Sequence, residues 1–251
     1  MSAAIKLAEM AGQSTLDFFQ KPTTEVEIKG DNSPVTIADK TAEKRIRAEL
    51  EKQFPHDAIL GEEFGEQAGS TEYQWIVDPI DGTKSFISGV PLYSTLVGVV
   101  TGGSCVCGVI YIPGMQEIVC ASTGLGAWHS TGGDFSRCQV STKPLERGLF
   151  VVSQVDSFAQ HGFGEGYRKI EEAAYITRSW GDGYGYLLVA TGRAEVMADP
   201  IANPWDLAAV QPVVEEAGGK FTSIAGENTF AGGNGVGTNG SVHEQVLKLL
   251  A

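Results

Sequence analysis

Apolar and polar positions alternate along this chain with two different periods. Ile5, Leu7, Ala8, Ala11, Leu16 and Phe19 recur at roughly helical spacing and predict a first helix over residues 3 to about 19. A short strand-like run, Val26 to Lys29, leads into a loop with Gly30, Asn32 and Pro34. Thr36-Ile37-Ala38-Asp39 then has the form of a capping box, with Asp at the third position. The helix it opens is expected to run to about Phe54. Ala42, Ile46, Leu50 and Phe54 make its buried face, and Lys40, Glu43, Lys44, Arg47 and Glu51 are assigned to water.

From there the period falls to two. Ala58-Ile59-Leu60 breaks at Gly61 and delivers Glu62 and Glu63 at a strand end. Tyr73 to Val77 reads as a short buried strand that Pro79 and Gly82 terminate, which puts Asp78 and Asp81 on a loop. Ser94 to Val100 and Cys105 to Ile112 flank Thr101-Gly102-Gly103-Ser104, a hairpin signal, and 117–122 and 126–130 continue the meander. Residues 1–140 therefore predict an α+β half, helices on an antiparallel sheet. Residues 141–251 predict an α/β half: strands at 148–153, 175–180, 194–198 and 219–224 alternate with helices at about 164–174, 184–191, 205–217 and 242–250.

Charge and composition narrow the class. The 251 residues carry 18 basic and 31 acidic side chains, a net charge of −13, which disfavours nucleic acid as a partner. No apolar run approaches the roughly 20 residues of a bilayer span, so no membrane partner is expected and a cytoplasmic location is. Cys105, Cys107, Cys120 and Cys138 lack paired metal-site spacing, and the first three read as buried thiols in strands. An acidic protein that handles phosphate needs cations in its site.

Carboxylates at element ends supply the place for them. Asp78 and Asp81 are hard oxygen donors suited to Mg²⁺, the carbonyl of Ile80 is a further potential ligand, and Gly82 lets backbone approach an anion. Asp39 in a first helical turn, Glu62 after a strand and Asp206 at a helix start complete a set. Any one of them alone is an ordinary helix cap or turn acid. Together, beside Gly82 and Thr83, they suit a phosphatase in which two Mg²⁺ ions about 4 Å apart activate water and stabilise the leaving oxygen. Thr83 adds a hydroxyl able to orient that water, unless it is a plain helix cap. Lys84 and Ser85 follow directly, either against phosphate or in solvent. His56, His129, His161 and His243 fall outside these motifs and receive no catalytic role.

Pro34-Val35-Thr36-x-x-Asp39, Gly61-Glu62-Glu63, Trp75-x-x-Asp78-Pro79-Ile80-Asp81-Gly82-Thr83, Val189-Ala190-Thr191-Gly192 and Trp205-Asp206 with Glu216-Ala217-Gly218-Gly219 resemble, in order and spacing, the inositol-monophosphatase-like phosphatases. The resemblance spans nearly the whole chain. It implies Mg²⁺ dependence, Li⁺ inhibition as in many members, a homodimer and the layered αβαβα sugar-phosphatase fold. It implies that Glu62, Asp78 and the Ile80 carbonyl hold one metal, that Asp78, Asp81 and Asp206 hold a second, and that a third, weaker ion sits near Glu62 and Asp39. Thr83 with Asp39 would position the nucleophilic water, and the amides of Gly82 and Thr83 would grip phosphate.

Two acids bear on the alcohol. Asp199 stands seven residues before Asp206, where inositol-specific members carry a Glu that binds sugar hydroxyls. Asp182, in Trp180-Gly181-Asp182, is similar to the Trp-Gly-Asp segment of histidinol-phosphatases within that family. Extra negative charge beside an anion site makes sense when the alcohol is cationic, as L-histidinol is. The bland alternative has Asp182 capping a helix and Asp199 ending a strand. Trp180 reads as a buried strand aromatic rather than a stacking partner. The expected reaction is hydrolysis of L-histidinol phosphate. Inositol monophosphate or several small phosphates are the alternative substrates, and a non-catalytic phosphate- or metal-binding protein is the alternative of another class.

Overall fold

The computed structural model describes residues 1–21, 26–28 and 34–251, so Lys29, Gly30 and Asn32 of the expected strand end and loop lie outside the described residues. Helix α1 (Ser2–Thr15) buries Ala4, Leu7, Ala8 and Ala11. It stops short of the expected residue 19. The Thr15 hydroxyl bonds back to the Gly12 carbonyl at 2.6 Å and meets Tyr93 Oη at 2.8 Å, and Gln20 takes a left-handed φ of 58°. Phe19 keeps its apolar role outside the helix, 5.2 Å from the Tyr93 ring centre.

Strands β1 (Val26–Ile28) and β2 (Pro34–Thr36) pair antiparallel and lead into α2 (Ile37–Gln53). The capping box is present: Thr36 Oγ1 accepts from the Ala38 N–H, and Asp39 Oδ2 accepts from the Thr36 N–H at 2.8 Å. Ala42, Ile46 and Leu50 are buried as expected, but so is Glu43, which the helical pattern assigned to water. Its partners repay the burial of a charge.

Then follow β3 (Ala58–Gly61), β4 (Gly65–Gln67), β5 (Tyr73–Asp81), the short α3 (Thr83–Ile87), β6 (Ser94–Thr101), β7 (Ser104–Ile112), β8 (Glu117–Ser122), β9 (Ala127–Thr131) and β10 (Ser136–Arg137). They form an eight-stranded sheet in the order β10-β9-β8-β7-β6-β5-β3-β4, antiparallel except for the parallel pair β3 and β5. Contrary to the sequence expectation, β5 does not end at Val77. It continues to Asp81 through a bulge in which Asp78 pairs with Leu96 and Asp81 with Ser94. Pro79 sits inside that bulge, where the missing N–H leaves no ladder bond unmade. Both acids therefore belong to a sheet strand rather than a loop.

The chain goes on through β11 (Leu149–Val152), α4 (Val155–Gln160), α5 (Gly164–Ala173), β12 (Ile176–Arg178), α6 (Asp182–Ala190), β13 (Val196–Asp199), α7 (Pro204–Leu207), α8 (Val210–Glu216), β14 (Lys220–Thr222), β15 (Gly235–Thr238) and α9 (His243–Leu250). These strands order as β12-β11-β13-β15-β14, with β11 parallel to β12 and β13, and β15 antiparallel to both neighbours. The helix expected over 205–217 is two helices, because Pro212 has no N–H to return to the Ala208 carbonyl. Strand β15 and helix α4 escape the sequence pattern. In the Gly-Val-Gly-Thr of β15 a Cβ on Gly237 would stand 2.9 Å from the Tyr186 ring, so close packing under α6 demands the glycine.

Burial shows five layers. Leu7, Ala11 and Ile46 pack α1 and α2 on the outer face of the large sheet, against Val77, Val97 and Val109. Leu187 of α6 and Val213 and Val214 of α8 lie between Leu96, Ile110 and Val119 of one sheet and Met197 and Phe221 of the other. Ile170 of α5 and Val246 of α9 cover the far side, over Phe150 and Val152. The order is αβαβα, as the resemblance implies. Burying both faces of both sheets is what lets near-continuous apolar runs such as Leu149 to Val152 remain in a globular chain.

Candidate active site

Parallel pairing of β3 and β5 brings the C-terminal ends of both strands together, and the acids stand there. The Glu62 N–H donates to the Val77 carbonyl at 3.3 Å, which holds the turn after β3 beside Asp78. Asp78 Oδ1 accepts from the Ile80 N–H at 3.0 Å inside the bulge. Asp81 Oδ2 accepts from Ser94 Oγ and from the Gly183 N–H, each at 2.5 Å. Asp206 is the third residue of α7, and its Oδ2 accepts from the Asn203 N–H at 2.7 Å. Carboxylate oxygens of Asp78, Asp81 and Asp206 lie within 4.8 Å of one another, and Glu62 comes within hydrogen-bonding reach of Asp78.

A cavity of about 520 Å³ opens over this cluster, lined also by Ile80, Gly82, Thr83, Asp182 and Asp199. Asp39 lies behind it, fully buried, with Oδ2 held by the Thr36 N–H and hydroxyl. Thr83 Oγ1 is 3.1 Å from the Ile80 carbonyl oxygen and 3.5 Å from Asp39 Oδ1. Its one proton serves the shorter bond, and Asp39 stands second in line. Gly82 takes a left-handed φ of 86° and opens α3, so Thr83 is the first helical residue rather than its cap. Its carbonyl accepts the first bonds, from Ser85 and Phe86 N–H groups, which leaves the amides of Gly82, Thr83 and Lys84 outside the helix's own bonding.

Burial shifts Asp39, Asp78, Asp81 and Asp206 toward their protonated forms. Burial raises Asp78 well above the usual carboxylate range, and Glu62, Asp81 and Asp206 add to it. Asp81 is likewise raised well above that range by burial, with Asp182 and Asp206 adding. Burial pushes Asp206 to about 7 and Asp39 to about 6, against opposing hydrogen bonds from Asn203 and Thr36 respectively. Among the described residues lining the cavity the basic side chains are Lys84, whose Nζ bonds Gln154 Oε1 at 2.6 Å, and His161. Converging, buried oxygen donors have the chemistry of a hard divalent-metal site. Glu62, Asp78, Asp81, Asp206 and the Ile80 carbonyl fit that use.

Another wall of the cavity is built on the start of α6. Asp182 adopts a φ of 57°, uncommon outside glycine, and its N–H donates to Ser153 Oγ at 2.9 Å. Ser153 Oγ in turn donates to Asp199 Oδ1 at 2.6 Å, and Tyr186 Oη donates to Asp199 Oδ2 at 3.0 Å. Asp199, pushed by burial to about 7, thus has an internal partner on each oxygen. The Asp182 carboxylate faces Gly82: a Cβ on that glycine would stand 2.7 Å from Asp182 Oδ2.

Ser153 and Gln154 stand in no motif yet line the cavity, and so does His161, for which no catalytic role is expected. Ser153 follows strand β11, the same signal that exposed Glu62, but a lone serine carries no charge pattern. Trp180 corrects an expectation. It lies beyond β12, is 41% exposed and borders an adjoining cavity of about 270 Å³ together with Lys84 and Asp182.

The chain is similar to known proteins along nearly its whole length. A profile described as the inositol monophosphatase family matches residues 1–251. The chain is 39% identical over 238 residues to a histidinol-phosphatase of Chlorobaculum parvum, covering 94% of this chain and 90% of the relative. It is 38% identical over 249 residues to a histidinol-phosphatase of Mycobacterium tuberculosis, covering 98% and 96%. The crystal structure of the extragenic suppressor protein suhB from Bartonella henselae superposes with a TM-score of 0.92 at 28% identity, covering 100% of this chain and 97% of that one.

Proposed function

Because the chain belongs to the inositol monophosphatase family, we propose that it hydrolyses L-histidinol phosphate to L-histidinol and orthophosphate in a Mg²⁺-dependent reaction. The observation that carries the substrate is the position of Asp182. In histidinol phosphate the ammonium is borne one carbon away from the phosphoester carbon, so a carboxylate that binds it must stand beside the phosphate cradle. Asp182 does, across from Gly82. A charge-assisted hydrogen bond there is roughly twice as strong as a neutral one.

Two to three Mg²⁺ ions, held by Glu62, Asp78, the Ile80 carbonyl, Asp81 and Asp206, would neutralise phosphoryl charge and lower the pKa of water. The chain's own groups do the rest. Backbone N–H groups of Gly82 and Thr83 hold phosphate oxygens at the start of α3. Thr83 Oγ1 orients the attacking water through its lone pairs, its proton directed at the Ile80 carbonyl with Asp39 the next nearest acceptor. Asp182 holds the ammonium, and Asp199, through Ser153, holds Asp182.

Inositol monophosphate is the weaker reading. At the position where a sugar-binding Glu is expected, Asp199 is shorter and both its oxygens have internal partners. The test is kcat/KM for L-histidinol phosphate and for myo-inositol 1-phosphate at saturating Mg²⁺, and faster turnover of the inositol ester overturns the proposal. The proposal extends to a cytoplasmic homodimer. Among the described residues no helix is long and apolar enough to cross a membrane, and sedimentation tests the dimer.

A further inference from the structure

Glu43 sits on the face of α2 that its helical pattern assigns to solvent, yet it is fully buried. Its Oε2 accepts from the Glu63 N–H at 2.8 Å and its Oε1 from the Phe64 N–H at 3.2 Å. Arg47, one helical turn on, donates from Nε to Glu43 Oε1 at 2.8 Å and from Nη2 to the Gly65 carbonyl at 2.5 Å. The pair therefore grips both N–H and C=O groups of the turn between β3 and β4, the turn that carries Glu62. Gly61 makes the approach possible, since a Cβ there would overlap the Glu43 carboxylate.

The hairpin does not need this help to close. Gly61 pairs with Gly65 across a three-residue turn, and Gly65 takes a φ of 65°, the usual glycine device for such a turn. A buried carboxylate persists only where it is paired and fully hydrogen-bonded, and this one directs its bonds at the two residues that follow Glu62. Strand β3 is tied to β5 as far as the Glu62 N–H bond to the Val77 carbonyl, and beyond that bond Glu43 and Arg47 place the turn from the α2 side. We infer that Glu43 and Arg47 are positioning residues that set where the Glu62 carboxylate stands and thereby the affinity of the acid cluster for divalent metal. The inference rests on the reading of Glu62 as a metal ligand.

Mg²⁺ binding by isothermal titration calorimetry, alongside the Mg²⁺ dependence of phosphate release, tests it in Glu43→Ala, Arg47→Lys and the reference variant Glu62→Gln. Glu43→Ala is expected to weaken Mg²⁺ binding about 10- to 100-fold, the usual effect of losing a partner behind a metal ligand. Its kcat at saturating Mg²⁺ should be largely retained, a split that a general loss of folding does not produce. Arg47→Lys keeps the charge and loses the bond to Gly65, so it should give a smaller shift in the same direction and serves if Glu43→Ala does not fold. A folded variant with wild-type Mg²⁺ affinity overturns the inference. Wild-type affinity in Glu62→Gln would remove the metal-ligand reading, and the inference with it.

Discussion

The backbone N–H of Gly183 donates a 2.5 Å hydrogen bond to Oδ2 of Asp81 across 102 residues of chain. A Cβ on Gly183 would also stand 2.8 Å from that same oxygen, so the start of α6 is held directly against the bulged end of β5. The bond joins the strand that carries two acids of the site to the helix that carries Asp182. The proposed phosphate cradle and alcohol pocket are thereby locked to a common frame.

Asp81→Asn should abolish most metal-dependent turnover. The amide can still accept from Ser94 and Gly183 through its oxygen, so folding is preserved while one charge is lost from the cluster. Loss of an outer partner alone costs about 10- to 100-fold, and a direct ligand should cost more. Phosphate release unchanged at saturating Mg²⁺ would contradict the metal mechanism.

Gly82→Ala and Gly102→Ala form a matched pair. Both glycines have left-handed φ, 86° and 58°, so each alanine should lower unfolding free energy by about 1–2 kcal/mol in urea titrations. Only at Gly82 does the new methyl meet a functional group, Asp182 Oδ2 at 2.7 Å, whereas nothing lies within 4 Å at Gly102. A matching drop in kcat/KM for both would refute the assigned cradle.

The thermal stabilisation by Mg²⁺ should grow with pH. Folding raises Asp39 from 3.8 to about 6 and Asp206 from 3.8 to about 7. A raised carboxylate contributes stability that is fully present below its unfolded pKa and is lost as pH rises through the folded value. The metal-free protein therefore weakens between about pH 4 and 7 as charges build up without partners, and Mg²⁺, which binds the ionised form, compensates. Calorimetric Tm with Mg²⁺ minus Tm with chelator should widen from about pH 5 to 8; a flat difference argues against it.

His243 opposes this trend at acid pH. It is fully buried between two hydroxyls. Thr222 Oγ1 donates to the Ser223 carbonyl and so accepts from Nε2–H, which leaves Nδ1 to accept from Thr238. Burial lowers its pKa from 6.5 to about 4, so the neutral ring's contribution is present above 6.5 and lost as pH falls through 4. Imidazole NMR shifts should stay those of the Nε2–H tautomer down to about pH 5; protonation near 6.5 would disprove the network.

Asp182→Asn should separate substrates. It removes the charge facing Gly82 while leaving the backbone bond to Ser153. Turnover of histidinol phosphate should fall about 10- to 100-fold, the worth of a hydrogen bond between charged groups, while a neutral alcohol's ester such as glycerol 2-phosphate should lose little. Equal losses on both would assign Asp182 to the metal cluster instead.

Patterns confined to one element were legible in the chain itself. The capping box at Thr36, the hairpin at Gly102-Gly103, the buried faces of α1 and α2 and the acids at strand ends all follow from local spacing, because backbone geometry ties side-chain direction to position. Whatever depended on two distant segments was not legible. Pro79 predicted a strand end until β6 supplied a bulge to absorb it, Glu43 looked solvated until the turn after β3 bonded it, and β15 carried no strand signal of its own until Tyr186 packed on its glycines. Which acids are available, the order of elements and the kind of chemistry follow from residue type and local period. Tertiary structure alone decided that Asp182 faces Gly82 and that Asp199 is held by Ser153 and Tyr186, because contact between residues far apart in the chain is set by how sheets and helices pack.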